Sequence, residues 1–77
     1  MQNLKLNWLK NEKDYYEKGL MSDYELVDGQ YVKGIIGYFD DEDGDEDFDM
    51  IGYISCDGDI RQVSEDDLYD IFYDYFD

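Results

Sequence analysis

Two groups of carboxylates dominate the chemistry open to this chain. The first is nearly continuous: Asp40, Asp41, Glu42, Asp43, Asp45, Glu46 and Asp47 surround Gly44, and Asp49 follows Phe48. The second is periodic: Asp66, Asp70, Asp74 and Asp77 recur at intervals of four, four and three residues. Carboxylates can hold a metal, move protons in catalysis, or face a cationic partner. The calcium-loop pattern needs glycine sixth and a bidentate glutamate twelfth. With Gly44 sixth, Phe39 falls first and Met50 twelfth, so both ends of the pattern fail and no metal site is expected. Catalysis is also disfavoured. The chain has no histidine, the usual base near neutral pH. Cys56 has no basic neighbour in sequence, and Ser22, Ser55 and Ser64 have no histidine to activate them. A carboxylate pair for glycoside chemistry would need a cleft that 77 residues scarcely offer. Neither an enzyme nor a cofactor is expected, which leaves a cationic partner or, for the loop alone, a merely solvated hairpin.

The periodic group argues for that partner. On a helix these aspartates share a stripe within about 80°, each step rising about 6 Å or slightly less. Tyr69, Tyr73 and Phe76 form a neighbouring aromatic strip. Solvated acids on an amphipathic helix are common. Here, however, like charges four residues apart oppose the helix, and Asp74 and Asp77 sit where the helix dipole disfavours anions. No lysine relieves the row. Local stability would choose otherwise at several positions, and functional sites are where such rules break. Asp57 and Asp59 extend the same negative field.

The whole chain is skewed in the same way. It carries 22 acids against 6 bases, a formal net charge of −16. Residues 1–33 hold six acids and five lysines, while residues 34–77 hold sixteen acids and Arg61 alone. Self-repulsion on this scale destabilises a compact state. Solubility needs far less charge, so a functional surface is indicated. Acidic chains are often disordered. This one is 43% hydrophobic and 18% aromatic with no proline, so it should fold. The acids exclude direct binding to nucleic acid by the second half. No apolar stretch is long enough for a membrane span. No leader is read in Met1–Lys10, which places the chain in the cytoplasm as an expectation. The lone Cys56 fits a reducing compartment and a small buried strand residue.

The elements that must position these acids can be read from spacing. A single domain over residues 1–77 is expected. Asn11 followed by Asp14 reads as a helix N-cap, and Gly19 as the residue past its end, giving a helix over 11–18 that extends back to residue 3. The alternation of Leu4, Leu6 and Trp8 would suit a strand instead. A β-meander follows. Tyr24–Val27 leads into Asp28-Gly29, a two-residue hairpin signal. Gln30–Phe39 is the next strand, with a bulge or bend suggested by Gly34 and Gly37. Phe48–Ser55 is another, and Asp57-Gly58 turns the chain into Ile60–Val63. Ser64 then caps a C-terminal helix, with Asp67 completing a capping-box pattern. Leu68, Ile71, Phe72 and Tyr75 give that helix its core stripe. The fold class is therefore α+β: a small antiparallel β-meander of three to four strands, an N-terminal helix and a C-terminal acidic amphipathic helix.

Small size, extreme acidity and the acid–aromatic segments Asp40–Asp49 and Asp66–Asp77 resemble one functional class: phage-encoded acidic DNA-mimic inhibitors of the anti-CRISPR and anti-restriction type, including the uracil-DNA glycosylase inhibitor. The likeness is one of character, since the class has no common motif. It implies a protein that fills the nucleic-acid channel of a nuclease or other DNA-binding protein in a bacterial host. Duplex DNA carries about one charge per 1.7 Å of axis, and a folded array of carboxylates can imitate it. An immunity- or antitoxin-type protein capping a basic toxin site is the alternative. That reading would lean on a few aromatic anchors such as Tyr69, Tyr73 or Phe76. Charge opposes self-association through the acidic face. Both a monomer and a dimer through the near-neutral N-terminal half, which carries Trp8, remain compatible with the sequence.

Overall fold

A computed structural model describes residues 3–76. Four antiparallel strands, β1 (Leu4–Trp8), β2 (Glu17–Val27), β3 (Gln30–Asp40) and β4 (Glu46–Cys56), form one sheet in the order β1-β4-β3-β2. One helix, α1 (Glu65–Phe76), packs on one face of that sheet. The meander and the C-terminal helix are as expected, but the N-terminal helix is not formed.

The reason for that difference is tertiary pairing. The period-two alternation prevails in residues 4–8: β1 lies antiparallel to β4, with Leu6 opposite Ile54 and Trp8 opposite Gly52. Asn11 does act as a cap, accepting from the backbone N–H of Lys13, but what it caps is a single 3-10 turn at Glu12–Asp14. A helix of eight residues has little stability of its own. The edge of β3, by contrast, offers a row of unpaired backbone groups. Residues from Glu17 onward take that edge, so Gly19 pairs with Ile36 inside β2 instead of ending a helix. The chain between β1 and β2 crosses the helix-side face of the sheet. There it drops Tyr15 into the core against Gly37, Ile51 and Phe39.

Local turn chemistry behaves as read at the first hairpin. Val27 pairs with Gln30, and the two residues between them both have positive φ, 51° at Asp28 and 80° at Gly29. That is the two-residue turn for which Asp-Gly is suited. A bulge near Gly34 and Gly37 is also present. The register shifts between Ile35 and Ile36, but the extra residue is Ile51 on β4. The expected last strand at Ile60–Val63 is instead a 3-10 turn at Ile60–Gln62. β1 already occupies the free edge of β4, so no strand can pair there. Asp59 caps the turn and Ile60 is fully buried.

The core lies between the sheet and α1. Tyr15, Ile35, Ile51, Ile54, Cys56, Ile60, Leu68 and Phe72 are buried in it, with Trp8, Ile71 and Phe76 packed at its margin. Ser64 accepts from the backbone N–H of Asp67 at 3.2 Å, the expected N-cap. Leu68 and Phe72 form the buried part of the helix stripe. Two aromatics at its end exchange roles. Tyr75, expected inside, is 47% exposed although its ring tilts against Trp8. Phe76, expected on an outer strip, packs against Phe72 at 4.9 Å and Trp8 at 6.0 Å between ring centroids. No helix among the described residues packs on the opposite face of the sheet. Among the described residues no helix is long and apolar enough to cross a membrane.

Candidate acidic interface

The continuous acids form the tip of the β3–β4 hairpin. Eleven residues per strand, at about 3.4 Å each, account for most of the 44 Å length of the molecule. Asp41 organises the tip. Its carboxylate accepts from the backbone N–H groups of Asp43 and Asp45, both at 2.9 Å. The backbone closes the loop with bonds from Asp41 to Asp45 at 3.0 Å and from Gly44 to Asp41 at 3.1 Å. Glu42, Asp43, Asp45, Glu46 and Asp47 are all exposed on this ordered frame. Asp40 pairs with Glu46 across the base of the loop, and antiparallel partners point to the same face.

A phenol marks how negative the hairpin root is. Tyr16 is held above its ordinary value, first by desolvation and then by the carboxylates of Glu46, Asp40 and Glu17. Tyr16 also donates its backbone N–H to Tyr38, fixing the start of β2 beside the hairpin. Sequence reading did not single out Tyr16. Its proximity to Glu46 is a long-range product of the β2–β3–β4 pairing.

The helix acids fall as expected for Asp66, Asp70 and Asp74, which are exposed along α1; Asp77 lies outside the described residues. Beside them Tyr69 and Tyr73 stack, with ring centroids 5.7 Å apart and planes 23° from parallel. They are 38% and 58% exposed. Phe76 is not part of this strip. An open groove of about 830 Å³ runs along α1, with Leu4, Val63 and Ile71 as apolar lining and Asp67, Asp70 and Asp74 along it. The last turn of α1 reaches Tyr16, Glu17 and Lys18 at the start of β2. The helix acids therefore run toward the hairpin end of the sheet. Asp57 and Asp59 lie at the other end, after β4.

Four of the six cations are held in contacts. Lys10 pairs with Asp49 at 2.9 Å, which raises the lysine above its ordinary value. Lys18 pairs with Glu12 and lies 5.7 Å from the centre of the Phe76 ring. Arg61 grips Asp59 through Nε and Nη2 and stacks 4.2 Å over Tyr31. Lys33 is buried, donating to the Ser22 carbonyl at 3.0 Å, with its ammonium 4.7 Å over Tyr24. Lys5 and Lys13 complete the set of six bases. Among the described residues, Asp49 and Asp59 are thus the only candidate interface acids with a cationic partner. Asp57 receives only an amide bond from Asn3.

No family model, curated protein or solved structure matches the chain. No group of three or more His, Cys, Asp or Glu among the described residues is placed to hold a metal ion. Cys56 is buried, and its thiol donates to the Gly58 carbonyl at 3.1 Å, which gives it a structural role at the end of β4. What the arrangement offers chemically is two ordered rows of unpaired carboxylates, one on a hairpin tip and one on a helix carrying a stacked tyrosine pair.

Proposed function

We propose that this protein is an acidic inhibitor that occupies the nucleic-acid-binding surface of a basic protein, such as a defence nuclease or effector complex, in the manner of an anti-CRISPR or anti-restriction DNA mimic. It acts by binding and not by catalysis. The observation that carries this reading is the disposition of charge. Lys10, Arg61 and Lys18 pair with Asp49, Asp59 and Glu12, Lys33 is buried, and among the described residues no base forms an ion pair with the acids of the hairpin tip or α1. A surface evolved only for solubility would mix signs. The ordered Asp41 turn adds a second support, because a fixed array repels itself at every encounter but loses little freedom on binding.

The test uses DNA as the competitor. A panel of purified nucleases and guide-loaded effector complexes is titrated with the protein, and DNA occupancy is read by fluorescence anisotropy. Displacement of DNA from one member, relieved by excess DNA and by salt, is expected. The double variant Asp70→Lys/Asp74→Lys should remain folded and bind the target at least tenfold more weakly, about 1.4 kcal/mol. Unaltered displacement by that variant would remove α1 from the contact.

The stacked pair Tyr69–Tyr73 favours a second reading, an immunity- or antitoxin-type cap on one basic toxin site. Such caps depend on a few anchors. Tyr69→Ala or Tyr73→Ala would then cost more than any single aspartate. A mimic would instead show many small losses spread over both carboxylate rows.

A further inference from the structure

The face of the sheet turned away from α1 is apolar at its centre. Cross-strand register assigns its residues: Ile36 lies opposite Met50, Tyr38 opposite Phe48, and Gly34 opposite Tyr53. A Cβ built on Gly34 would meet Met21 and Met50, which places both methionines on this same face. None of Ile36, Tyr38, Phe48, Met50, Tyr53 and Met21 belongs to the core or packs against it. Tyr38 and Phe48 instead pack on one another, with ring centroids 6.3 Å apart, and Phe48 is 55% exposed. Antiparallel sheets with one open face normally alternate to polar side chains there. Val32 lies on this face by the same register and is buried, while Ile36, Tyr38, Met50, Tyr53 and Met21 are half-buried, so Phe48 is the exposed crest of a contiguous apolar patch. Such a patch marks an interaction surface.

The charged residues of this face identify the occupant. By the same register Glu17, Glu25, Asp40 and Glu46 border the patch on β2 and at the hairpin end, and Lys5 stands alone on β1. Two copies meeting face to face would set those carboxylates against their own equivalents, with a net charge of −16 on each chain. A partner with an apolar ridge flanked by lysine or arginine is complementary on both counts. We infer that the outer sheet face docks the apolar ridge of the basic partner, so that the carboxylates steer and the sheet supplies affinity. This deepens the proposed function and rests on its premise of a basic partner.

Two peptides of about ten residues, roughly 33 Å extended, separate these contributions. One alternates lysine with leucine and the other lysine with glycine, at equal charge. Both are titrated into the isotopically labelled full chain, wild type and Phe48→Ser, and followed by heteronuclear NMR with unfolding midpoints measured in parallel. The leucine peptide should bind at least about tenfold more tightly than the glycine peptide, as one buried leucine would give. It should shift the amides of Ile36, Phe48, Met50 and Tyr53. Phe48→Ser should erase most of that advantage while keeping a cooperative fold, since Phe48 lies outside the core. Met50→Ser provides a second variant on the same face. Equal affinity for the two peptides, or shifts confined to residues 41–45 and α1, would sink the docking face while leaving the charge-based function intact. Sedimentation showing a wild-type dimer dissolved by Phe48→Ser would instead assign the face to a second copy. Binding of neither peptide at low salt would overturn the basic-partner premise itself.

Discussion

Asp59 shows what a paired carboxylate looks like in this molecule, and so defines the unpaired ones by contrast. Its oxygens accept from the Arg61 guanidinium at 2.9 Å on each side and from the Arg61 backbone N–H at 3.0 Å. These bonds, the guanidinium first, hold its carboxyl below the ordinary value. A carboxyl whose value is lower when folded than unfolded contributes stability above the unfolded value, about 3.9. That contribution fades as pH falls through the folded one. Arg61→Gln should therefore raise the Asp59 midpoint toward the ordinary value when the carboxyl carbon is followed by NMR. An unmoved midpoint would show that the guanidinium is not its cause. Substitution of Asp59 should matter little to partner binding, since its charge is already answered. Pairing of this kind was not legible in the sequence, which grouped Asp59 with the free acids. The caps were legible, because Asn11 and Ser64 act on backbone groups two and three residues away. Lys33 was not singled out, although it shares strand parity with the buried Ile35. Its ammonium is satisfied by the Ser22 carbonyl, which lies in the irregular stretch of β2 between Leu20 and Tyr24, and by the Tyr24 ring.

Among the elements, β1 is the shortest strand and depends on a close approach. A Cβ on Gly52 would lie 2.6 Å from the Asn7 carbonyl oxygen and 2.7 Å from the Trp8 ring. Glycine there lets the indole lie on β4 while its other side meets Tyr75 and Phe76 of α1. The backbone contact cannot be relieved by a rotamer change, so Gly52→Ala should cost about 1–3 kcal/mol. For a domain of this size that lowers the melting temperature by roughly 4–8 °C per kcal/mol. Hydrogen exchange should accelerate in Leu4–Trp8 and at the end of α1 before it does in the β2–β3 hairpin. Uniform acceleration, or an unchanged midpoint, would show that Gly52 does not hold this edge. The same dependence explains which elements the sequence disclosed. The Asp28-Gly29 turn, β3, β4 and α1 carry local signals and form nearly where expected. β1 is an edge strand defined by β4, far along the chain, whereas β2 was legible at Tyr24–Val27 beside its turn but not over Glu17–Asp23, which is not rich in β-formers. The outer-face patch had a signal that went unused. β4 is apolar at both parities, Phe48 and Met50 on one side and Ile51 and Ile54 across the bulge, which is the mark of a strand apolar on both faces.

At the scale of the whole molecule, the fold and the proposed binding should respond to salt in opposite directions. Two unit charges about 6 Å apart in water interact by roughly 0.7 kcal/mol before screening. Successive acids along α1 and around the hairpin tip are like-charged, and the described residues hold only three ion pairs against them, each worth about 0–1 kcal/mol when exposed. Repulsion therefore dominates, and screening it should stabilise the chain. The screening length falls from about 30 Å at 0.01 M to about 8 Å at 0.15 M, across which the melting temperature should climb and then level off. A complex formed by these carboxylates loses attraction over the same range, so its dissociation constant should rise steeply with added salt. Measured on one preparation, a rising melting temperature with a weakening complex would tie both effects to the same unpaired acids. If the melting temperature rises while affinity stays flat, the acids repel one another but do not form the contact. Affinity must then reside in the apolar sheet face or the Tyr69–Tyr73 pair. A falling melting temperature would mean that the ion pairs outweigh the repulsion, and the field would be too weak to select a partner.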